Sequence, residues 1–178
     1  FFRILNMVSE DTVQKELKNI DIYRDTPIRF LGYANEVGEA FRALVPVSLV
    51  RLSYVVASGY VCADTLDKSH KVSQNEFPTP GDRRKQVVIT AADTVLWQSF
   101  ASVIIPGITI NRLCALSAFV LKRSTQLAPP VLKAVTTGIG LSAIPLIIKP
   151  IDAFVELSMD ASIRRYYNYR TPDLVKHE

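Results

Sequence analysis

Histidine, cysteine and tryptophan are scarce in these 178 residues, at two, two and one. Two cysteines cannot build a disulfide scaffold. His70 lies in a polar stretch and His177 in the tail, and neither has a second ligand at a useful spacing. No metal site and no Ser-His-Asp arrangement is therefore expected. Gly138-Ile139-Gly140 lacks the third glycine, the preceding strand and the lysine of a phosphate loop, so it reads as close helix packing. Cys62 and Cys114 sit in apolar runs, where buried thiols act as small inert hydrophobes. No cofactor is implied and no catalytic constellation is found, so the chain is read as a non-enzyme. Charge is also sparse, at 21% of residues against about 25% in soluble domains. The net charge of +4 has no basic stripe behind it, which excludes a nucleic-acid partner. With 48% apolar residues the chain is too hydrophobic for disorder.

What is present is length without charge. Residues 43–63 hold one charge, Arg51; residues 87–110 hold one, Asp93; residues 131–148 hold one, Lys133. Each stretch matches the ~20 residues needed to cross a ~30 Å hydrocarbon core. The expected fold is an all-α membrane protein, a small bundle of three Pro-kinked transmembrane helices with amphipathic helices at both ends. A fourth span is an alternative if residues 113–121, too short alone, cross as well; they also read as a re-entrant piece or the continuation of a long broken helix. The nine Leu and Val residues of the first stretch favour insertion by roughly 3–5 kcal/mol, and Arg51 opposes it by about 3 kcal/mol. That span is marginal unless neighbours cover Arg51. Prolines follow aliphatic residues in all three, at Pro46, Pro106 and Pro145, where an interior proline would kink the helix. Small residues at four-residue spacing, Ser53 with Ala57, Gly59 with Ala63 and Ala34 with Gly38, would let helices approach closely.

Before the first span, Thr26 and Pro27 form a helix start. Ile28, Leu31, Phe41 and Leu44 follow on one face, with Asn35, Glu36, Glu39 and Arg42 on the polar side. A C-terminal amphipathic helix begins at Pro150. Ile151, Phe154, Val155, Met159, Ile163 and Tyr166 share its apolar face, and Asp160 can pair with Arg164. Residues 64–86 read as a polar connector broken at Phe77-Pro78-Thr79-Pro80-Gly81-Asp82. Residues 1–22 form an N-terminal extension, too acidic for an intact transit peptide, and residues 168–178 a tail. The chain begins at Phe1 rather than Met, which implies a start that is missing or processed. Lysine and arginine divide evenly about three spans, so charge sets no orientation. Ionisable groups at membrane depth mark partners or pathways. That makes Arg51 and Asp93 candidates, paired if the first two spans form a hairpin. Asn111, Arg112, Arg164 and Arg165 are candidate contacts for lipid head groups or an acidic partner.

Several strings resemble the mitochondrial fission process protein 1 family over residues 23–167. They are Tyr23-Arg24-Asp25-Thr26, then Gly32-Tyr33-Ala34-Asn35-Glu36-Val37-Gly38-Glu39-Ala40-Phe41-Arg42, then Trp97-Gln98. Ala101-Ser102-Val103, Ile105-Pro106-Gly107 leading to Thr109-Ile110-Asn111-Arg112, then Ile144-Pro145, Ile147-Ile148 and Pro150-Ile151-Asp152, complete the set. The resemblance implies a multi-pass protein of the inner mitochondrial membrane, with a role in mitochondrial division and membrane organisation and links to energy coupling and apoptosis. It brings no catalytic residue. The implied partners are membrane lipids, cardiolipin among them, and other inner-membrane proteins. An alternative is an accessory structural subunit of a respiratory complex or supercomplex. A solute carrier is a third reading, since Pro150-Ile151-Asp152 is similar to the start of the mitochondrial carrier signature. Val155 stands where that signature needs a basic residue, and the chain is too short for six helices.

Overall fold

Helices account for nearly all of the described chain. The computed structural model describes Tyr23 and residues 27–167, so Thr26, the N-terminal extension and the tail lie outside the described residues. The chain divides into two units, residues 1–30 and 31–178. In the first, a 3₁₀ helix runs from Pro27, and Ile28 and Phe30 are exposed.

Among the described residues, the second unit holds five α-helices. These are α1 (Ala34–Ala40), α2 (Val47–Ser73), α3 (Pro80–Gln98), α4 (Ile105–Ser124) and α5 (Pro129–Ala161). A π segment, Ser99–Ile104, joins α3 to α4, so residues 80–124 form one continuous helix of 45 residues. This is the long-helix alternative for residues 113–121. Pro106 explains the π segment: it has no N–H to donate, and the preceding Ile105 N–H reaches five residues back to Phe100 O.

Three sequence expectations are corrected. Pro46 is not inside a span; it is the N-cap of α2, and residues 41–46 form the turn before it. Pro150 does not start a helix, because α5 runs through both Pro145 and Pro150. The connector is not residues 64–86. α2 continues to Ser73, and α3 begins at Pro80 under a Thr79 cap whose Oγ1 accepts from the Asp82 N–H at 3.1 Å. The loop is residues 74–79.

Two helices among the described residues are long and apolar enough to cross a bilayer, Pro80–Ser124 and Pro129–Arg165. The first expected span is not one of them, since its helix starts late, at Val47, carries Arg51 and reaches Asp64 after about five turns. Only 17% and 28% of the apolar windows in those two helices are buried. Burial across the unit is inverted relative to a water-soluble bundle. Polar or charged side chains such as Asn35, Glu36, Asp64, Thr90, Asp93 and Gln98 are buried, almost as many as apolar ones. Leu52, Val55, Ile108, Phe119, Leu146, Phe154 and Leu157 are exposed.

The N-terminal segment shows the same inversion. Asn35, Glu36, Glu39 and Ala40 are buried in α1, while Leu31 and Leu44 are exposed. At the C-terminal end, Ile151, Val155 and Met159 pack with Ala101. Phe154, Ile163 and Tyr166 lie exposed instead.

Close approach between helices depends on a few small residues. A Cβ at Gly38 would meet Ser53 Cβ at 2.8 Å, and one at Gly140 would meet Cys114 Sγ at 2.6 Å. Ala57 is fully buried. Gly59 and Gly138 face nothing within 4 Å, so the small-residue spacing is structural at some positions and idle at others.

Candidate functional site

α1 is too short to hold itself together. Its side chains fill the break in the long helix. Asn35 Nδ2 donates to Val103 O at 3.0 Å, inside the π segment. Gly107 leaves room for this approach: a Cβ there would lie 2.6 Å from Tyr54 Oη and 3.2 Å from Asn35 Nδ2. One turn further along α1, Glu39 is the hub of a second group. It accepts from Arg42 Nε at 2.7 Å, Arg42 Nη2 at 2.5 Å, Tyr54 Oη at 2.9 Å and Asn111 Nδ2 at 2.8 Å. Three donating side chains satisfy the carboxylate on both oxygens, the arrangement a buried charge needs. An open cleft of about 190 Å³ lies alongside, walled by Ala40, Ala43, Ala115 and Ala118, with Glu39, Arg42 and Asn111 as its polar edge.

Between these groups sits Glu36. It is fully buried, and neither carboxylate oxygen meets a donor; Asn35 Oδ1 is in the same state. Toward the other end of α2, Asp64 is also fully buried. Its Oδ2 accepts from Lys68 Nζ at 2.9 Å and Gln98 Nε2 at 2.6 Å, and Ser102 Oγ donates to Gln98 Oε1 at 2.6 Å.

A separate cluster holds the end of α5 to α3. Arg164 donates to both oxygens of Asp93, Nε to Oδ1 and Nη2 to Oδ2, each at 2.8 Å. Its Nη1 reaches Asp160 at 2.8 Å and Glu156 at 2.5 Å. Tyr167 Oη donates to Asp93 Oδ1 at 2.9 Å. Burial first, and then that bond to a carboxylate, push the Tyr167 hydroxyl up to about 12.

The expected Arg51–Asp93 pair is therefore corrected: Asp93 binds Arg164, and Arg51 is exposed. Register explains it. Asp64 meets Gln98 across the antiparallel α2–α3 pair, which puts Arg51 opposite residue 111, about 27 Å from Asp93 at ~1.5 Å per residue. Asn111 and Arg164 are corrected too, since both are spent on internal carboxylates rather than held free for lipid or partner. Arg112 and Arg165 are exposed. Cys62, expected buried, is exposed; Cys114 is half-buried.

Of the motif residues, Asn35, Glu36, Gly38, Glu39, Arg42, Pro106, Gly107 and Asn111 gather around α1. Gly32 approaches Tyr60 nearby. Trp97 packs with the Ala101 cluster, Asp152 is half-buried, and Pro145 and Pro150 are exposed. The sequence reading missed Tyr54, Asp64 and Tyr167, and gave no role to Gln98 and Ser102, which stand in the motif strings. The available signal was Gln98, a lone amide in an otherwise apolar helical run.

A family model described as Mitochondrial 18 KDa protein (MTP18) matches residues 17–88 and 67–159. Mitochondrial fission process protein 1 of Caenorhabditis briggsae is 54% identical over 151 residues, 84% of this chain and 93% of its own length. The Homo sapiens protein of that name is 52% identical over 147 residues, covering 83% and 88%. The chain belongs to the mitochondrial fission process protein 1 family. Uncharacterized protein R740 of Acanthamoeba polyphaga mimivirus is a more distant relative, 28% identical over 149 residues, covering 82% and 78%. No solved structure matches.

Proposed function

We infer that this chain is a non-catalytic, multi-pass protein of the inner mitochondrial membrane that acts in mitochondrial division by helix packing and protein–protein contact. The family relatives are named for the fission process, which supports the mitochondrial role. The observation that carries the membrane reading is inverted burial. Asn35, Glu36, Asp64 and Asp93 point inward while Leu146, Leu157 and Phe119 point outward. In water that arrangement is costly, because exposed apolar area stays hydrated while buried carboxylates lose their hydration. In hydrocarbon both terms reverse. Membrane lipids, with cardiolipin among them, are then the first partners, and exposed Arg112 and Arg165 are suited to their head groups.

The test is replacement of the resident family member in cells. Restored network division supports the reading, provided the chain resists carbonate extraction and is digested by protease only after the outer membrane is opened. Release by carbonate, or digestion in intact mitochondria, contradicts the inner-membrane assignment.

One observation favours a second reading, an accessory subunit of a respiratory assembly. Arg51 is exposed beside Leu52 and Val55 on α2, where a permanent partner would cover the charge. A single very large band on a native gel, carrying respiratory subunits, would select this reading over the first.

A further inference from the structure

Apart from the Asp93 cluster, several buried polar groups follow one another in a line. At one end, Lys68 contacts Asp64, Asp64 contacts Gln98, and Gln98 contacts Ser102. The next residue, Val103, accepts from Asn35. Glu36 follows on α1, and then Glu39 with Tyr54, Arg42 and Asn111, at the edge of the alanine-walled cleft. From Gln98 to Asn111 the line follows the long helix for about 20 Å at ~1.5 Å per residue. A hydrocarbon core is ~30 Å thick.

Four acceptors on this line, and no donors, lack a protein partner: Asn35 Oδ1, both Glu36 oxygens and Asp64 Oδ1. Acceptors alone call for protons or water. The titratable groups facing Glu36 are Asp152 on α5 and Tyr54 on α2, and Glu39 lies one turn further along its own helix. Among the described residues none of these is a cation, and Arg42 is taken by Glu39. A buried carboxyl among acids and without a donor favours its neutral, proton-bearing form.

We propose that this line is a proton path through the bundle, with Glu36 as its central proton-holding carboxyl and bound water completing the hydrogen bonds. Each step breaks one O–H bond and forms another, from hydronium or water to the carboxyl and on to the next water, so no oxidant or other co-reactant is required. The path rests on the membrane reading above. Its two mouths are the cleft at Arg42 and Asn111 and the Asp64–Lys68 pair.

The full chain is reconstituted into phosphatidylcholine vesicles with an anionic lipid and an internal pH dye, and a potassium diffusion potential drives protons inward. The expected result is acidification faster than in protein-free vesicles. Glu36→Gln abolishes the excess rate, Glu36→Asp retains it, and Glu76→Gln, on the exposed connector, leaves it unchanged. A second measurement needs no variant: a hydrophobic carbodiimide, which reacts with protonated carboxyls in apolar surroundings, labels Glu36 of the wild-type chain at pH 7, and less as pH rises. Incorporation with no excess flux, flux that survives Glu36→Gln, or no label on Glu36 each overturns the proposal and leaves the membrane reading standing. Failure of the chain to enter vesicles overturns both.

Discussion

Replacing Arg164 by methionine isolates the contact that fastens the end of α5 to α3. Methionine keeps most of the side-chain volume and removes the cation. Asp93 has a side chain only 2% exposed, and Arg164 12%. The change therefore strips both oxygens of their charged donors and leaves a buried carboxylate with the Tyr167 hydroxyl as its remaining donor. Breaking a buried pair by removing one partner costs about 3–5 kcal/mol. For a chain of this size that is roughly a 6–20 °C fall in Tm. The assay is thermal unfolding of the detergent-solubilised protein, followed by circular dichroism, within a double-mutant cycle that adds Asp93→Asn. The double variant should recover part of the loss, because the orphaned charge is gone. Glu156 and Asp160 also touch Arg164 but are about half exposed, so neutralising either should cost less than about 1 kcal/mol. The reasoning is refuted if Arg164→Met costs no more than those two, or if the double variant is as unstable as the sum of the singles.

Gly38→Ala and Gly59→Ala should move stability in opposite directions. The first forces a Cβ onto Ser53 and costs about 1–3 kcal/mol, while the second meets open space and gains up to about 1 kcal/mol of helix propensity; the same thermal assay reads both. Tyr54→Phe removes one of the donors to Glu39 and should destabilise by about 1–3 kcal/mol. Arg51→Leu should leave stability within about 0.5 kcal/mol of wild type, since its side chain is exposed; a loss comparable to Arg164→Met would revive the pairing with Asp93.

Length and charge patterning made the helices legible, because a charge-free run of more than about 15 residues has few other folds available. Boundaries failed where proline was read by position alone. Pro46 and Pro150 exchanged roles: the expected interior proline is an N-cap and the expected first-turn proline lies inside a helix. The apolar and polar faces around α1 were legible as such, but not which of them is buried: Asn35, Glu36 and Glu39 are, while Leu31 and Leu44 are exposed. Asp93–Arg164 and Asn111–Glu39 join residues some seventy apart, and no local pattern carries such pairs. Asp160–Arg164, four residues apart on the chain, was legible and forms at 2.8 Å. The motif strings included both α1 and Pro106-Gly107, but nothing in them showed that Asn35 reaches the backbone of the π segment beside that pair.

The account depends on hydrocarbon surrounding the outward apolar faces. Leu146 on α5 is 74% exposed and should lie within it. A spin label at Leu146→Cys, in a chain carrying Cys62→Ala and Cys114→Ala and reconstituted in lipid, measures this directly. Relaxation by dissolved oxygen with protection from a water-soluble nickel chelate is the predicted result; strong relaxation by the chelate, matching a label on the exposed loop at Glu76→Cys, would contradict it.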